Sequence, residues 1–120
     1  MKDKSHNKLV DLSVDFAVDI LALVKKLKEQ RENIISNQIG RSGTSIGANI
    51  HEAQYAQGKQ DFISKLQIAL KEANETSYWL LLLKKTAIIS QEEYQTYSKK
   101  CEEIKITLIA SINTAKNKEA

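Results

Sequence analysis

The residue types that most often carry out chemistry are few in this sequence, and their spacing is incomplete. Glu72 and Glu75 stand three residues apart, like the Glu-x-x-His pairs of di-iron helix bundles, but the histidine is missing. His51 and Glu52 begin a His-Glu-x-x-His zinc motif, yet Tyr55 occupies the position of its second histidine. The sequence therefore predicts no metal site and no cofactor.

The single cysteine and the carboxylate pair also lack the surroundings that catalysis needs. Cys101 falls in the apolar stripe of a predicted helix, where a thiol behaves as a small hydrophobe, and no histidine is near it in sequence. Glu72 and Glu75 would need a pocket to act as general acid and base, and we expect them instead to pair with lysines or with Arg41. We predict no catalytic residues, no enzymatic activity and no small-molecule substrate.

Glycines and hydroxyl residues alternate in an unusual stretch from Gly40 to Gly47. A phosphate-binding P-loop is one interpretation, but the stretch has no Gly-Lys-Ser/Thr and no β-strand leads into it. On a helix, Gly40, Gly43 and Gly47 align with Ser36 on one strip, and a strip without side chains lets another backbone approach closely. Close packing, inside the bundle or between subunits, is favoured over a ligand site.

The flank of the same helix opposite the glycines is polar. Its side chains, with two carboxylates of the next helix, predict either a hydrogen-bond network between helices or the rim of an interface. This predicted polar network consists of Gln38, Arg41, Ser45, Asn49, Glu52, Glu72 and Glu75.

Apolar spacing and the shortage of turn residues indicate an all-α chain. Pro is absent and Gly occurs only four times, too rarely for the turns of an all-β or α/β fold. Apolar residues recur every three or four positions in four segments, which predict helices over about residues 5–28, 33–55, 59–87 and 91–116. Ser90 and Glu93 predict a capping box at the last helix. Short connections then predict a single domain over residues 1–120, an antiparallel up-down-up-down four-helix bundle.

Length, charge and cysteine content narrow the class of protein further. A chain of 120 residues suits one domain, and its single cysteine excludes an internal disulfide framework. Because no apolar secretion segment follows Met1, we expect a cytoplasmic protein. The longest apolar run, residues 78–83, is too short to cross a bilayer, so no membrane is expected as a partner. The sequence has 18 basic and 15 acidic residues, and the resulting net charge of +3 permits an anionic partner without requiring one.

The third predicted helix carries more apolar surface than one bundle is expected to bury. Residues 78–83 are apolar on every side, and a helix that is apolar all round is buried all round. We therefore expect a homo-oligomer; the alternative is that side chains of the same chain cover this face. The predicted oligomer interface consists of Gly40, Gly43, Gly47, Ile68, Trp79, Leu82 and Leu83.

One string of residues in the middle of the chain is specific to a family. It comprises Ile35-Ser36-Asn37-Gln38-Ile39, Arg41-Ser42-Gly43-Thr44-Ser45-Ile46-Gly47-Ala48-Asn49-Ile50, Glu52-Ala53, Asp61-Phe62-Ile63, Ile68-Ala69-Leu70-Lys71-Glu72-Ala73, Glu75-Thr76 and Tyr78-Trp79-Leu80. With this string the chain resembles the bacterial four-helix-bundle proteins encoded in intervening sequences of 23S ribosomal RNA genes, in register from about Asn33 to Leu83. Gly58-Lys59 departs from the family, which often has a Ser there to cap the third helix.

The resemblance implies more than the residues alone do. It implies a ring-like homo-oligomer, usually a homopentamer. It also implies kinship with the accessory variability protein of diversity-generating retroelements, a basic pentameric barrel that binds nucleic acid and a reverse transcriptase. Neither implication identifies a catalytic site.

Two functions remain open at this point. In the first, the chain is a nucleic-acid or ribonucleoprotein adaptor whose basic side chains contact phosphates, which gives salt-sensitive and sequence-tolerant binding to RNA or DNA. In the second, it is a scaffold for protein–protein interactions whose lysines only solvate the outer faces, in keeping with the modest charge and the few aromatic residues. The resemblance favours the first. The predicted phosphate contacts are Lys25, Lys26, Lys28, Arg31, Arg41, Lys84, Lys85, Lys99 and Lys100.

Overall fold

The computed structural model describes residues 4–118, with side chains described from Lys8 onward; the remaining ends of the predicted domain, 1–3 and 119–120, lie outside this range. Four α-helices and no strand occupy the described range, which confirms the predicted all-α class. The helices are α1 (Lys4–Glu29), α2 (Ile34–Ala53), α3 (Lys59–Lys85) and α4 (Gln91–Asn117). None of the described helices combines the length and the apolar content needed to cross a membrane.

Each helix packs against two others and lies diagonally across from the third. The adjacent pairs are α1 with α2, α2 with α3, α3 with α4, and α4 with α1. Across the α1–α4 seam, Lys26 pairs with Glu93 and Asp19 pairs with Lys100, so residue numbers fall on α1 as they rise on α4.

The core is formed by one apolar stripe from each helix. Fully buried side chains include Phe16 and Ile20 of α1, Ile46 of α2, Leu80 of α3 and Ile104 of α4. Removing such a side chain from water contributes about 1.5–3 kcal/mol. The repeating burial at three- and four-residue spacing explains why these segments fold as helices and not as strands.

The start of α4 and the start of α3 are capped differently. Ser90 Oγ accepts the Glu93 N–H at 3.0 Å, and Glu93 Oε1 accepts the Ser90 N–H at 2.8 Å, so the predicted capping box is confirmed. Gly58 at the start of α3 has no side chain to offer, and the Asp61 carboxylate instead accepts the Gln57 N–H at 3.2 Å. This hydrogen bond lowers the pKa of Asp61, with Lys65 as the second cause.

Two helices end earlier than the sequence predicted. Ala87 adopts a left-handed backbone conformation (φ 61°), through which a right-handed helix cannot continue. The Ile88 N–H then donates a hydrogen bond to the Leu83 carbonyl at 2.9 Å, which caps the end of α3. At the end of α2, the Tyr55 N–H bonds to the Glu52 carbonyl at 3.0 Å, three residues back, in a tighter turn that ends the helix at Ala53.

Candidate interaction surfaces

The glycine strip of α2 faces α1 of the same chain. A Cβ atom built on Gly43 would lie 2.8 Å from Ile20 Cγ2, and one on Gly40 would lie 3.2 Å from Val24 Cγ2. Gly43 and Gly47 are buried. The strip therefore lets α1 and α2 pack closely inside one bundle, while a contact of these glycines with a second copy stays a prediction.

The apolar face of α3 is covered in part by the chain's own helices. Leu83 is fully buried, Trp79 and Leu82 are half-buried, and Ile68 is 40% exposed. Tyr78 is 53% exposed and meets Trp79 edge-on, with ring centroids 5.1 Å apart. Much of the apolar surface that the sequence attributed to an interface is thus accounted for within the chain, and the uncovered remainder is centred on Ile68 and Tyr78.

A second apolar surface, which the sequence analysis missed, lies on the outside of α1. Val14, Val18 and Leu21 are 43%, 61% and 55% exposed. We call these three residues the α1 strip. Their spacing of four and three residues places them on one helix face, parallel to the core stripe of the same helix, and this spacing is the signal from which they were predictable.

The predicted polar network takes shape around Arg41, which bridges α2 to two carboxylates of α3. Arg41 Nη1 lies 3.2 Å from Glu72 Oε1, and Arg41 Nη2 contacts Glu75 Oε2. Trp79 Nε1 donates to the same Glu75 oxygen at 3.1 Å. The hydrogen bond from Arg41, followed by that from Trp79, lowers the pKa of Glu75, and Glu75 in turn raises the pKa of Arg41.

The other predicted members of the network are arranged differently. Ser45 Oγ donates to the Arg41 carbonyl at 2.7 Å, and Asn49 Nδ2 donates to the Ser45 carbonyl at 2.9 Å, so both bond within α2. Gln38 and Glu52 are exposed, and no hydrogen bond in the described range joins them to Arg41.

A buried hydroxyl pair lies beside this network, and sequence reasoning missed it. Ser42 Oγ and Thr76 Oγ1 are 2.8 Å apart and both residues are fully buried. Thr76 Oγ1 donates to the Glu72 carbonyl at 2.8 Å, so Ser42 is the donor in the pair. The pair links α2 to α3 through a hydrogen bond between two buried hydroxyl groups.

Basic side chains gather at the end of the bundle where α1 and α3 end and α4 begins. Lys26 Nζ lies 2.6 Å from Glu93 Oε2, and Lys84 Nζ lies 4.7 Å from the centroid of the Tyr94 ring. These contacts bring the last turns of α1 and α3 to the first turn of α4. We call this region the basic end; its cations are Lys25, Lys26, Lys28, Arg31, Lys84 and Lys85.

The predicted phosphate contacts differ in how far their charge is already neutralised. Arg41 is held between two carboxylates, Lys26 is paired with Glu93, and Lys100 is paired with Asp19. Those partners raise the pKa values of Lys26 and Lys100. The cations that are exposed and make no ion pair within the described residues are Lys25, Lys28, Arg31, Lys85 and Lys99.

The remaining candidates for chemistry are a cleft and a buried thiol. A cleft of about 300 Å³ between α1 and α4 is lined by Asp19, Glu92, Glu93, Thr96, Tyr97 and Lys100. Burial raises the pKa of the Cys101 thiol, whose Sγ lies 3.4 Å from the Ala73 carbonyl oxygen. Among the described residues, no group of three or more His, Cys, Asp and Glu side chains is placed to hold a metal ion.

Comparison with known proteins gives a consistent result for this arrangement of helices. The family described as "23S rRNA-intervening sequence protein" matches residues 5–110. A solved crystal structure from Bacteroides thetaiotaomicron VPI-5482, described as a protein with unknown function from the S23 ribosomal protein family, is similar over 91% of this chain and 98% of its own. The identity is 53% and the TM-score is 0.89. The search of curated proteins finds no match.

Proposed function

Because the chain belongs to the 23S rRNA-intervening sequence protein family, we propose that it is a non-enzymatic adaptor that binds nucleic acid, RNA or DNA, through its basic end. The observation that carries the proposal is the gathering of cations from two helices that are distant in sequence. Lys25, Lys28 and Arg31 follow one another at the end of α1, and Lys85 joins them from the end of α3.

The local electrostatics support phosphate binding at this end. The four cations are exposed and make no ion pair within the described residues, so a phosphate needs to displace no carboxylate to reach them. Cations near helix C-termini also complement the helix dipole, which accounts for part of their placement. Lysine-rich contacts of this kind release counterions and give binding that weakens steeply with salt.

The proposal includes the arrangement of the helices and the assembly of copies. We propose an up-down-up-down antiparallel bundle, supported by the opposite numbering of residues along the α1–α4 seam. We also propose a ring-like homo-oligomer, with the homopentamer implied by the family resemblance. A ring repeats the basic end in every copy, so weak contacts act together on one strand. The proposal also includes kinship with the retroelement accessory protein, with a reverse transcriptase as a second partner. It further includes a cytoplasmic location.

The test is a titration of structured RNA at about 50 mM and about 200 mM salt. The variant K25Q/K28Q/R31Q removes three charges from the basic end, and K8Q/K116Q/K118Q removes three charges elsewhere as a matched control. We expect the first variant to bind about tenfold or more weakly, with a shallower salt dependence, and the control to bind nearly as the wild type does. Equal losses in both variants, or no wild-type binding at the lower salt, would contradict the proposal.

A scaffold for protein–protein interactions is the second candidate function. The observation that favours it is the α1 strip, because three exposed aliphatic side chains on one face suit a protein partner better than a phosphate backbone. Retained assembly together with an absence of salt-dependent RNA binding would support the scaffold over the adaptor.

A further inference from the structure

We infer that the basic end binds double-stranded nucleic acid, with one phosphate backbone over the end of α1 and the other over the end of α3. The inference rests on the proposed function and names the form of nucleic acid that the same site takes. It follows from the way in which positive and negative charges alternate around this end of the bundle, and from the distance between the two positive helix ends.

Each of the four helices brings charge of one prevailing sign to this end, and we call the four helix termini here the corners. At the α1 corner, four cations and one carboxylate leave a net charge of +3, and the α3 corner has two cations. The α2 corner has one carboxylate and the α4 corner has two. These signs complement the helix dipoles, because α1 and α3 end here whereas α2 and α4 begin here. The charged residues are, by corner, Lys25, Lys26, Lys28, Glu29 and Arg31 (α1), Glu32 (α2), Lys84 and Lys85 (α3), and Glu92 and Glu93 (α4).

Carboxylates at the α2 and α4 corners are held in place by the chain itself. Glu32 Oε2 accepts the Ile35 N–H at 2.8 Å and the Ser36 N–H at 3.1 Å. Glu93 Oε1 accepts the Ser90 N–H at 2.8 Å. Negative charge therefore stays fixed at these two corners and repels phosphates, which leaves the α1 and α3 corners to receive them.

The two positive corners are separated by about the width of a duplex groove. Helices α1 and α3 lie diagonally across the bundle, each packed on α2 and α4. Neighbouring helix axes lie about 8–10 Å apart, so the diagonal of the bundle is about 11–14 Å. The major groove of B-form DNA is about 12 Å wide, and duplex RNA has a wide, shallow minor groove. One backbone therefore reaches the α1 corner while the other reaches the α3 corner, and the groove between them passes over the two negative corners.

The cations available for phosphates are divided between the two positive corners. They are exposed and make no ion pair within the described residues: Lys25, Lys28 and Arg31 at the α1 corner and Lys85 at the α3 corner. A single backbone over the α1 corner would leave Lys85 unused, whereas a duplex engages both corners. Because each phosphate contact with a duplex releases about 0.9 counterion, full engagement predicts a salt slope of about −4 per copy.

The aromatic side chains argue against a single strand as the ligand. Proteins that hold single strands stack bases on exposed rings, which contributes about 1–3 kcal/mol per base. Tyr94, in the first turn of α4, is half-buried, and the Lys84 ammonium lies 4.7 Å from its ring centroid. The exposed tyrosines are elsewhere: Tyr78 stands about 10 Å before Lys85 along α3, and Tyr55 follows the opposite end of α2. A single strand would find phosphate contacts here but no stacking surface, whereas a duplex needs none.

The experiment compares defined nucleic acids on the full chain. The probes are a DNA duplex and an RNA duplex of about 20 base pairs and an unstructured single strand of the same length, each titrated at about 50 mM and about 200 mM salt. We expect a duplex to bind about tenfold or more tightly than the single strand at the lower salt. Tight binding of either duplex supports the inference, and the difference between the DNA and RNA arms shows which groove fits the end of the bundle.

Two variants test whether both positive corners are needed. K25Q/K28Q/R31Q removes the unpaired cations of the α1 corner. K85E reverses the exposed charge of the α3 corner and leaves Lys84 on the Tyr94 ring. We expect either variant to lower the ratio of duplex to single-strand affinity from about tenfold to about twofold, because one corner contacts one backbone only. The control K8Q/K116Q/K118Q is expected to keep the wild-type ratio, since a general loss of positive charge weakens both probes alike.

The outcomes separate this inference from the proposed function. Equal affinity for the single strand and both duplexes overturns the inference and leaves the nucleic-acid adaptor standing. No binding of any probe at the lower salt overturns both. A duplex preference that K85E leaves unchanged, while K25Q/K28Q/R31Q abolishes it, shows contact at the α1 corner alone and overturns the placement of the duplex across the end of the bundle.

Discussion

Helix α1 is held to its two neighbours in two different ways. Towards α2, the backbone of Gly43 approaches so closely that an added Cβ would lie 2.8 Å from Ile20 Cγ2. Towards α4, side chains reach across the seam in ion pairs. These pairs are Lys26 with Glu93 at 2.6 Å, Lys100 with Asp19, and Lys8 with Glu103 at 4.0 Å.

The difference shows that one small bundle can combine a helix contact that tolerates almost no change in distance with one that tolerates small shifts of the backbone. Close packing depends on distances of a few tenths of an ångström, so a single added methyl group disturbs it and salt does not. Exposed ion pairs tolerate small shifts of the backbone, contribute little each, and respond to salt and pH. The α1–α2 seam therefore sets the position of α1, and the α1–α4 seam adjusts to it.

The largest effect is expected from G43A at the α1–α2 seam. The new methyl group would overlap Ile20, a β-branched side chain that is fully buried and has no room to move. The gain in helix propensity, about 1 kcal/mol, is smaller than the packing strain. We expect a net loss of about 1–3 kcal/mol in the free energy of unfolding, measured by urea denaturation.

The matched control for this substitution is G47A on the same strip. A Cβ atom at Gly47 would lie 3.4 Å from Ser13 Oγ, an ordinary contact. The helix-propensity gain then dominates, and the variant is expected to be as stable as the wild type or up to about 1 kcal/mol more stable. Equal losses in both variants would show that the strip as a whole, and not the contact at Gly43, controls the seam.

A smaller, pH-dependent effect is expected from E93Q at the α1–α4 seam. The Lys26 ammonium, followed by the Ser90 N–H, lowers the pKa of Glu93. A lowered folded-state pKa means that this contribution is complete above the ordinary glutamate pKa and is lost as the pH falls through the folded-state value. We expect E93Q to lose about 0.5–1 kcal/mol at about pH 7 relative to the wild type. The difference between the two is expected to shrink as the pH falls below the ordinary glutamate pKa and through the lowered folded-state pKa, as followed by urea denaturation over a series of pH values.

Two features make this measurement specific to the ion pair. Gln still accepts the Ser90 N–H, whereas E93A also breaks the capping box and is expected to lose about 1 kcal/mol more at each pH value. Glu75 and Asp61 also have lowered pKa values, so part of the acid sensitivity persists in E93Q. A difference between wild type and E93Q that stays constant with pH would contradict the assignment.

The smallest effect is expected from the Asp19–Lys100 pair. Both side chains keep access to water, at 33% and 47% exposure, so the pair is screened and its coupling is weak. A double-mutant cycle of D19N and K100Q is expected to give a coupling energy of about 0.2–0.5 kcal/mol that disappears in about 1 M salt. A coupling energy above about 1 kcal/mol would contradict this expectation and would show that the α1–α4 contacts hold α1 about as firmly as the α1–α2 contacts do.

The local features of this fold were predictable because they depend on neighbours in sequence. Helix positions follow from apolar residues every three or four positions, and the capping box follows from Ser90 and Glu93 alone. The unusual spacing of Gly40, Gly43 and Gly47 identified a close approach, although the sequence left open whether the approaching helix belonged to the same chain.

The candidate surfaces were harder to predict because the exposed fraction of a side chain depends on how far the neighbouring helices cover it. Leu83 and Ile68 both belong to the apolar face predicted on α3, yet Leu83 is fully buried and Ile68 is 40% exposed. The α1 strip was missed because its spacing is also that of a core stripe. The basic end combined residues 25–31 and 84–85, and their proximity depends on the contacts of both helices with α4.

The order of apolar, polar and glycine residues determined by itself that this chain forms four helices and which stripe of each helix enters the core. The period of a helix is a local property, so the sequence contains it in full. The tertiary structure alone decided that α1 packs on the glycines and that the α1 strip stays uncovered. It also decided that Arg41, and not a lysine, pairs with both Glu72 and Glu75. Those outcomes depend on distances between helices that are far apart in sequence, and such distances are set only when all four helices pack together.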